Sequence, residues 1–193
     1  MIWLIRHGQT EFNATGRIQG AQDSPLTALG VEQGRRIGAR LREIVPAEAR
    51  IIASPLGRTQ HTARLVRDAA GLATGIETDA RLAESSLGEW DGMLKDDIRN
   101  IAPGYDTAER RWSWFFDAPG GDSYEAMTDR LGGWLEDARV HGGPIVAVSH
   151  GVAGRILRGL FLQLPRNEAL MLDIPQDAFF RLNQGQIERI DCT

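Results

Sequence analysis

The chain has 193 residues, of which 42% are apolar and 25% charged, a composition that excludes disorder, collagen-like repeats and low-complexity assembly and leaves room for one packed core. Its 22 basic and 26 acidic residues give a net charge of −4. No general attraction to nucleic acid or to an anionic membrane is therefore expected, and an anionic ligand must be met by a local cluster of cations.

Residues 2–5 form a continuous apolar run ended by charge, the pattern of a strand buried on both faces. Thr27 is placed to cap a helix running to about Val45, with Leu29, Ile37, Leu41, Ile44 and Val45 at helical spacing and Pro46 just past its end. Gly30, Gly34 and Gly38 recur along it, each costing about 1 kcal/mol relative to Ala, which predicts close packing of this helix on a sheet. A second buried strand is expected over residues 51–53 and a helix over 56–70. Residues 91–121, rich in charge, Trp and Pro and without a strand pattern, read as a lid insertion over one end of the sheet. Asp122 or Ser123 can cap the next helix, in which Met127, Leu131, Trp134, Leu135 and Ala138 share a face. A third buried strand over 145–148, a helix over 152–162 and a hairpin over 179–190 complete the pattern. Strands alternating with helices predict one α/β domain over residues 1–193: a three-layer α/β/α sandwich with a mostly parallel central sheet, an antiparallel edge strand and a small lid insertion. The edge hairpin also offers a surface on which two copies could pair as a homodimer. The single cysteine, Cys192, excludes an internal disulfide and a thiolate metal cage, and without a long apolar run the chain is expected to be soluble and cytoplasmic.

Ligands of open α/β sheets bind beyond the carboxyl ends of the strands. Here those ends run into Arg6-His7-Gly8, Ser54-Pro55-Leu56-Gly57-Arg58 and Ser149-His150-Gly151, which gathers two histidines and two arginines at one sheet edge. Arg58 falls in the first turn of its helix, where the macrodipole disfavours a cation unless an anion is bound there. The helix after Gly151 points free N–H groups toward the same edge. Gly8 and Gly151, lacking Cβ atoms, would let a ligand approach the backbone. Together these features predict a pocket for a phosphate monoester dianion. The sequence contains no His-x-x-x-His pair, no calcium-loop spacing and no Gly-x-x-x-x-Gly-Lys loop, so neither a metal nor a cofactor is expected.

The run Leu4-Ile5-Arg6-His7-Gly8-Gln9-Thr10-Glu11-Phe12-Asn13 closely resembles the signature of the histidine phosphatase superfamily, also called the phosphoglycerate mutase-like fold. The resemblance continues in order through Gly16-Arg17-Ile18-Gln19-Gly20, Asp23-Ser24-Pro25-Leu26-Thr27, Ser54-Pro55-Leu56 with Arg58 and Thr62-Ala63, Leu82-Ala83-Glu84 with Gly88-Glu89-Trp90-Asp91-Gly92, Gly120-Gly121-Asp122-Ser123 and Val148-Ser149-His150-Gly151. It implies that His7 is a nucleophile forming a phosphohistidine, that Arg6, Arg58 and His150 hold the phosphoryl oxygens, and that Glu84 is the proton donor. Asn13 would complete the phosphate pocket, and Arg17 and Gln19, with Gly20, would belong to the loop that meets the substrate. Glu89 and Asp91 are the rivals of Glu84 in the same loop, and His61 and His141 read as structural or exposed.

Members of the family differ in what accepts the phosphoryl group. The mutases carry a longer insertion and a longer tail, whereas 65 residues separate Glu84 from His150 here, so water is expected to reach the intermediate. The resemblance therefore implies a phosphatase of small phosphorylated metabolites. Mutase-type transfer is the alternative, and a non-catalytic phosphate-binding regulatory protein is the alternative from another class. Lys95, Arg99, Arg110 and Arg111 would suit a substrate with a second acidic group, and Trp112, Trp114, Phe115 and Phe116 would either line a pocket or pack the insertion.

Overall fold

The computed structural model of the protein describes residues 1–104 and 107–192. Within them the strands β1 (Ile2–Arg6), β2 (Arg50–Ala53), β3 (Ile76–Thr78), β4 (Ile145–Ser149), β5 (Ala178–Asn183) and β6 (Gln186–Asp191) form one sheet in the order β3-β2-β4-β1-β5-β6. The first four run parallel, and β5 and β6 add an antiparallel hairpin at the β1 side.

Strand residues alternate between two apolar clusters, one on each face, and this is why the parallel strands read as unbroken apolar runs. Trp3, Ile5, Ile51, Ala53, Val146 and Val148 pack with α2 (Ala28–Leu41) and α3 (Gly57–Ala70) through Ile37, Leu41, Ala63 and Val66. Ile2, Leu4, Ile52, Ile145 and Ala147 face α5 (Tyr124–His141) and α6 (Gly151–Leu162) through Met127, Leu131, Trp134, Ile156 and Leu157. Burying each such Ile or Leu is worth roughly 1.5–3 kcal/mol, so covering both faces fixes the register of the strand ends that carry the site. This is the three-layer α/β/α architecture expected from the sequence.

Several local expectations need correction. Helix α2 ends at Leu41, not near Val45, because its last turn tightens to bonds from Glu43 N–H to the Arg40 carbonyl and from Ile44 N–H to the Leu41 carbonyl. Of the two caps expected for α5, Ser123 is the one used, its hydroxyl accepting from Ala126 N–H, while Asp122 accepts from Ser86 N–H. The glycines of α2 serve contacts other than the sheet. A Cβ on Gly30 would lie 2.0 Å from the Gln9 carbonyl oxygen, and one on Gly38 would lie 2.6 Å from that of Val66 in α3.

Four short elements carry too few residues for a periodic signal: α1 (Glu11–Ala14), β3, α4 (Lys95–Ile101) and α7 (Arg166–Met171). Residues 91–121 are attached through Ile98, Phe115 and Ala118, which are buried in the same cluster as α5. Residues 105 and 106 of that segment lie outside the described residues.

Candidate active site

Register brings three strand ends together. Arg6 is opposite Ser149 and Ala53 opposite Val148, so His7, Ser54 and His150 leave the sheet side by side. His7 N–H donates to the Ser149 carbonyl at 3.1 Å and Ser54 N–H to that of Val148 at 3.0 Å. The rings of His7 and His150 then meet edge to face with centroids 5.3 Å apart.

The His7 ring has one nitrogen engaged, Nδ1 at 2.8 Å from the Gly8 carbonyl oxygen. A carbonyl only accepts, so Nδ1 carries the hydrogen and the neutral ring presents an unprotonated Nε2. Burial, and then the charges of Arg6 and Arg58, hold the His7 pKa well below the usual imidazole value. His150 is shifted the same way by burial, by Arg58, and then by His7 and Arg6. Both rings are therefore neutral at physiological pH in the free protein, and a charged His150 would require an arriving anion. His150 Nε2 lies 2.7 Å from Ser54 Oγ.

Three buried nitrogens around His7 have no hydrogen-bond partner among the described residues: the N–H groups Arg6 Nε and Arg58 Nε, and the ring nitrogen Nδ1 of His150. The other ends of the two guanidiniums are fastened. Arg6 Nη1 donates to the Ile174 carbonyl at 2.6 Å. Arg58, 1% exposed, donates to the Gln22 and Gly20 carbonyls at 2.6 and 2.8 Å and to Asp23 Oδ1 at 3.1 Å. Asp23 Oδ1 also accepts from Arg58 N–H at 3.2 Å, so a protein carboxylate sits at the start of α3 and relieves the unfavourable placement of a cation there. Burial lowers the Arg6 pKa to about 10, which leaves the group charged at neutral pH.

The N-terminus of α6 holds a carboxyl group of the protein itself. Glu84 Oε2 accepts from Val152 N–H at 3.1 Å, and Oε1 accepts from Ala153 and Ser85 N–H, each at 3.0 Å. The expectation that these helix N–H groups await the ligand is thus corrected: they position the carboxyl of Glu84. Of its two rivals, Glu89 is exposed, and Asp91 accepts from Ser86 Oγ and Leu87 N–H.

A cavity of about 380 Å³ lies over His7. Arg6, Arg58, Glu84, Asn13, Arg17, Gln19 and Gly20 line it, as do Lys95, Arg111, Trp112, Trp114 and Phe115. Trp112, Trp114 and Phe115 also pack in the apolar cluster, so the two readings of these aromatics both hold, whereas Phe116 stacks edge-on with Tyr124 and does not border the cavity. Arg99 and Arg110 also lie off the wall, Arg99 reaching Asp96 and Arg110 pairing with Asp117. His150 and Gly151 border a second, water-sized space behind Arg6.

Gly8 is needed for a different reason than a ligand's approach. A Cβ there would collide with the Gly30 carbonyl oxygen at 2.3 Å. A Cβ on Gly151 would instead meet Arg6 Nε and Glu84 Oε2 at 3.6 and 3.7 Å. Sequence reasoning missed Ser54 as the partner of His150, Thr62, whose hydroxyl accepts from Gly8 N–H at 3.1 Å, Arg155 on the cavity wall, and the carbonyl of Ile174. Thr62 lay within a quoted motif and could have been found; the loop carbonyl had no signal.

Comparison with known proteins shows the family and the fold. The family described as the histidine phosphatase superfamily (branch 1) matches residues 2–186. The chain is 35% identical over 192 residues, 98% of its length and 84% of the other, to "Probable phosphoglycerate mutase GpmB" of Enterobacter sp. (strain 638). Among solved structures, Bacillus stearothermophilus YhfR superposes with a TM-score of 0.83 at 29% identity, covering 97% of this chain and 93% of that one. A mycobacterial glucosyl-3-phosphoglycerate phosphatase, Rv2419c, solved with VO3, gives 0.79 at 25% identity over 100% and 97%.

Proposed function

Since the chain belongs to the histidine phosphatase superfamily, we propose that it is a phosphatase that hydrolyses small phosphate monoesters through a phosphohistidine on His7. The observation that carries this reading is the pair of unpartnered buried donors Arg6 Nε and Arg58 Nε, with the unpartnered ring nitrogen Nδ1 of His150, around the free Nε2 of His7. Buried N–H groups are costly to leave unpaired, and two of them on cationic side chains about one nucleophile fit the oxygens of a phosphoryl group.

In this scheme His7 Nε2 attacks phosphorus in line with the ester oxygen. A P–N bond forms as the P–O bond to the leaving group breaks, and charge spreads over the three equatorial oxygens. Arg6 and Arg58 meet that charge from fixed positions, so little reorganisation is needed. Glu84 gives the leaving oxygen its proton, then takes one from the water that attacks phosphorus and breaks the P–N bond, releasing inorganic phosphate. Arginines supply the positive charge, and no metal or cofactor enters the scheme.

Water as acceptor is supported by the short insertion and by exposed Gly16, Lys95 and Arg111 at the cavity wall. Lys95 and Arg111 favour a substrate whose alcohol part carries a second acidic group. The relative named as a phosphoglycerate mutase keeps phosphoryl transfer between hydroxyls as the second reading. The test is a panel of small phosphate esters that includes 3-phosphoglycerate, followed by NMR. Free phosphate should accumulate, and 2-phosphoglycerate forming faster than phosphate would reverse the ranking.

A further inference from the structure

The loop between α7 and β5, residues 172–177, belongs to none of the motifs quoted above, yet it holds the site from behind. Its carbonyls take the guanidinium of Arg6 at Ile174 and that of Arg155 at Leu172, and Asp173 Oδ1 pairs with Arg158 at 3.0 Å. From the same loop Gln176 reaches forward. Its Nε2 lies 3.1 Å from the His7 carbonyl oxygen and 3.2 Å from Asn13 Oδ1.

The direction of both amides follows from the backbone groups they touch. The His7 carbonyl can only accept, so the Gln176 atom beside it is the NH2 group. Thr10 N–H can only donate, so the Asn13 atom 3.3 Å from it is the carbonyl oxygen. That oxygen takes two donors, Thr10 N–H and Gln176 Nε2, which turns the Asn13 amide so that its NH2 is the end left for the cavity that Asn13 lines. Without Gln176 only Thr10 N–H would hold the Asn13 amide against turning over and presenting an acceptor to an anionic ligand.

We propose that Gln176 is a positioning residue: through its paired contacts with the His7 carbonyl and Asn13 Oδ1 it holds the Asn13 NH2 as a donor toward the phosphoryl group. The inference rests on the phosphoryl reading of the site and adds to it a residue that acts only through Asn13.

Inorganic phosphate is the probe, measured both by calorimetric titration and as an inhibitor of p-nitrophenyl phosphate hydrolysis, on the wild type, Gln176→Met, Gln176→Glu, Asn13→Ala and Asn13→Ala with Gln176→Met. Gln176→Met keeps the shape and removes the donor, so phosphate should bind about tenfold more weakly, with KM raised and kcat nearly kept. Gln176→Glu places an acceptor against two acceptors and should weaken binding further. In the Asn13→Ala background, Gln176→Met should cause no additional loss. Equal losses in both backgrounds, unchanged phosphate affinity in Gln176→Met, or loss of the fold in both Gln176 variants would overturn the assignment. A wild-type protein that fails to bind phosphate would instead overturn the phosphoryl reading itself.

Discussion

The Nδ1–H of His7 donates to the carbonyl of its own neighbour Gly8 at 2.8 Å, which leaves Nε2 as the ring's free nitrogen. The same burial that frees it also resists its protonation, and His150 is held neutral likewise. Below about pH 6.5 the unfolded chain takes up a proton on each of these rings that the folded chain refuses. Their contribution to stability is therefore fully present above that pH and declines as pH falls, by up to ~1.4 kcal/mol per pH unit per ring. Urea unfolding at pH 7.5 and 5.5 checks this: the midpoint should fall at pH 5.5, and less so in His150→Gln. A midpoint that stays level or rises would contradict the burial of two neutral rings.

Glu84 is fixed by three backbone N–H groups, from Ser85, Val152 and Ala153. Glu84→Gln removes the acid and keeps the size of the side chain, while its NH2 replaces one oxygen that accepts backbone N–H, a change that both kinds of substrate meet equally. Hydrolysis of alkyl phosphates, whose leaving oxygen needs a proton, should slow by about 100-fold, and that of p-nitrophenyl phosphate by less than about tenfold. Equal slowing of the two would assign Glu84 a structural role.

Arg58 has a structural duty as well as a proposed chemical one. Arg58→Met would leave the carbonyls of Gly20 and Gln22 without its donors. Each buried group left unsatisfied costs about 1–3 kcal/mol, so the variant should unfold at clearly lower urea and should fail to bind phosphate. Wild-type stability would show that the loop at residues 20–23 repacks without the guanidinium.

Much of this site was legible because its residues fall at predictable places. Three apolar runs had to be buried on both faces, and what followed them, His7, Arg58 and His150, had to meet at one edge. Glu84 was legible only through the family motif, since its hold on α6 depends on a turn brought beside that helix by the fold. The loop at residues 172–177 left no pattern because it works chiefly through carbonyls, which every residue has. Gly8 and the glycines of α2 could be marked as special, but their reasons, a carbonyl of Gly30 and the neighbouring α3, required packing to be seen.

Arg111 borders the cavity and stacks on Trp112, with its guanidinium carbon 4.8 Å from the ring centre. If the natural ester carries a second acidic group, Arg111→Ala should raise KM for 3-phosphoglycerate by about fivefold or more while changing that for p-nitrophenyl phosphate little. A parallel rise for both esters would place the contribution of Arg111 in the general field of the cavity.

The central claim is that His7 becomes phosphorylated on Nε2, and the most direct measurement is isolation of that adduct. Protein mixed with a phosphate ester in excess EDTA is quenched within one turnover in alkaline denaturant, which preserves phosphohistidine, and is analysed by peptide mass spectrometry and 31P NMR. The account predicts one phosphoryl group on His7, at Nε2, absent from the catalytically silent His7→Ala. Turnover by His7→Ala, or a phosphoryl group carried by any other residue, would contradict it.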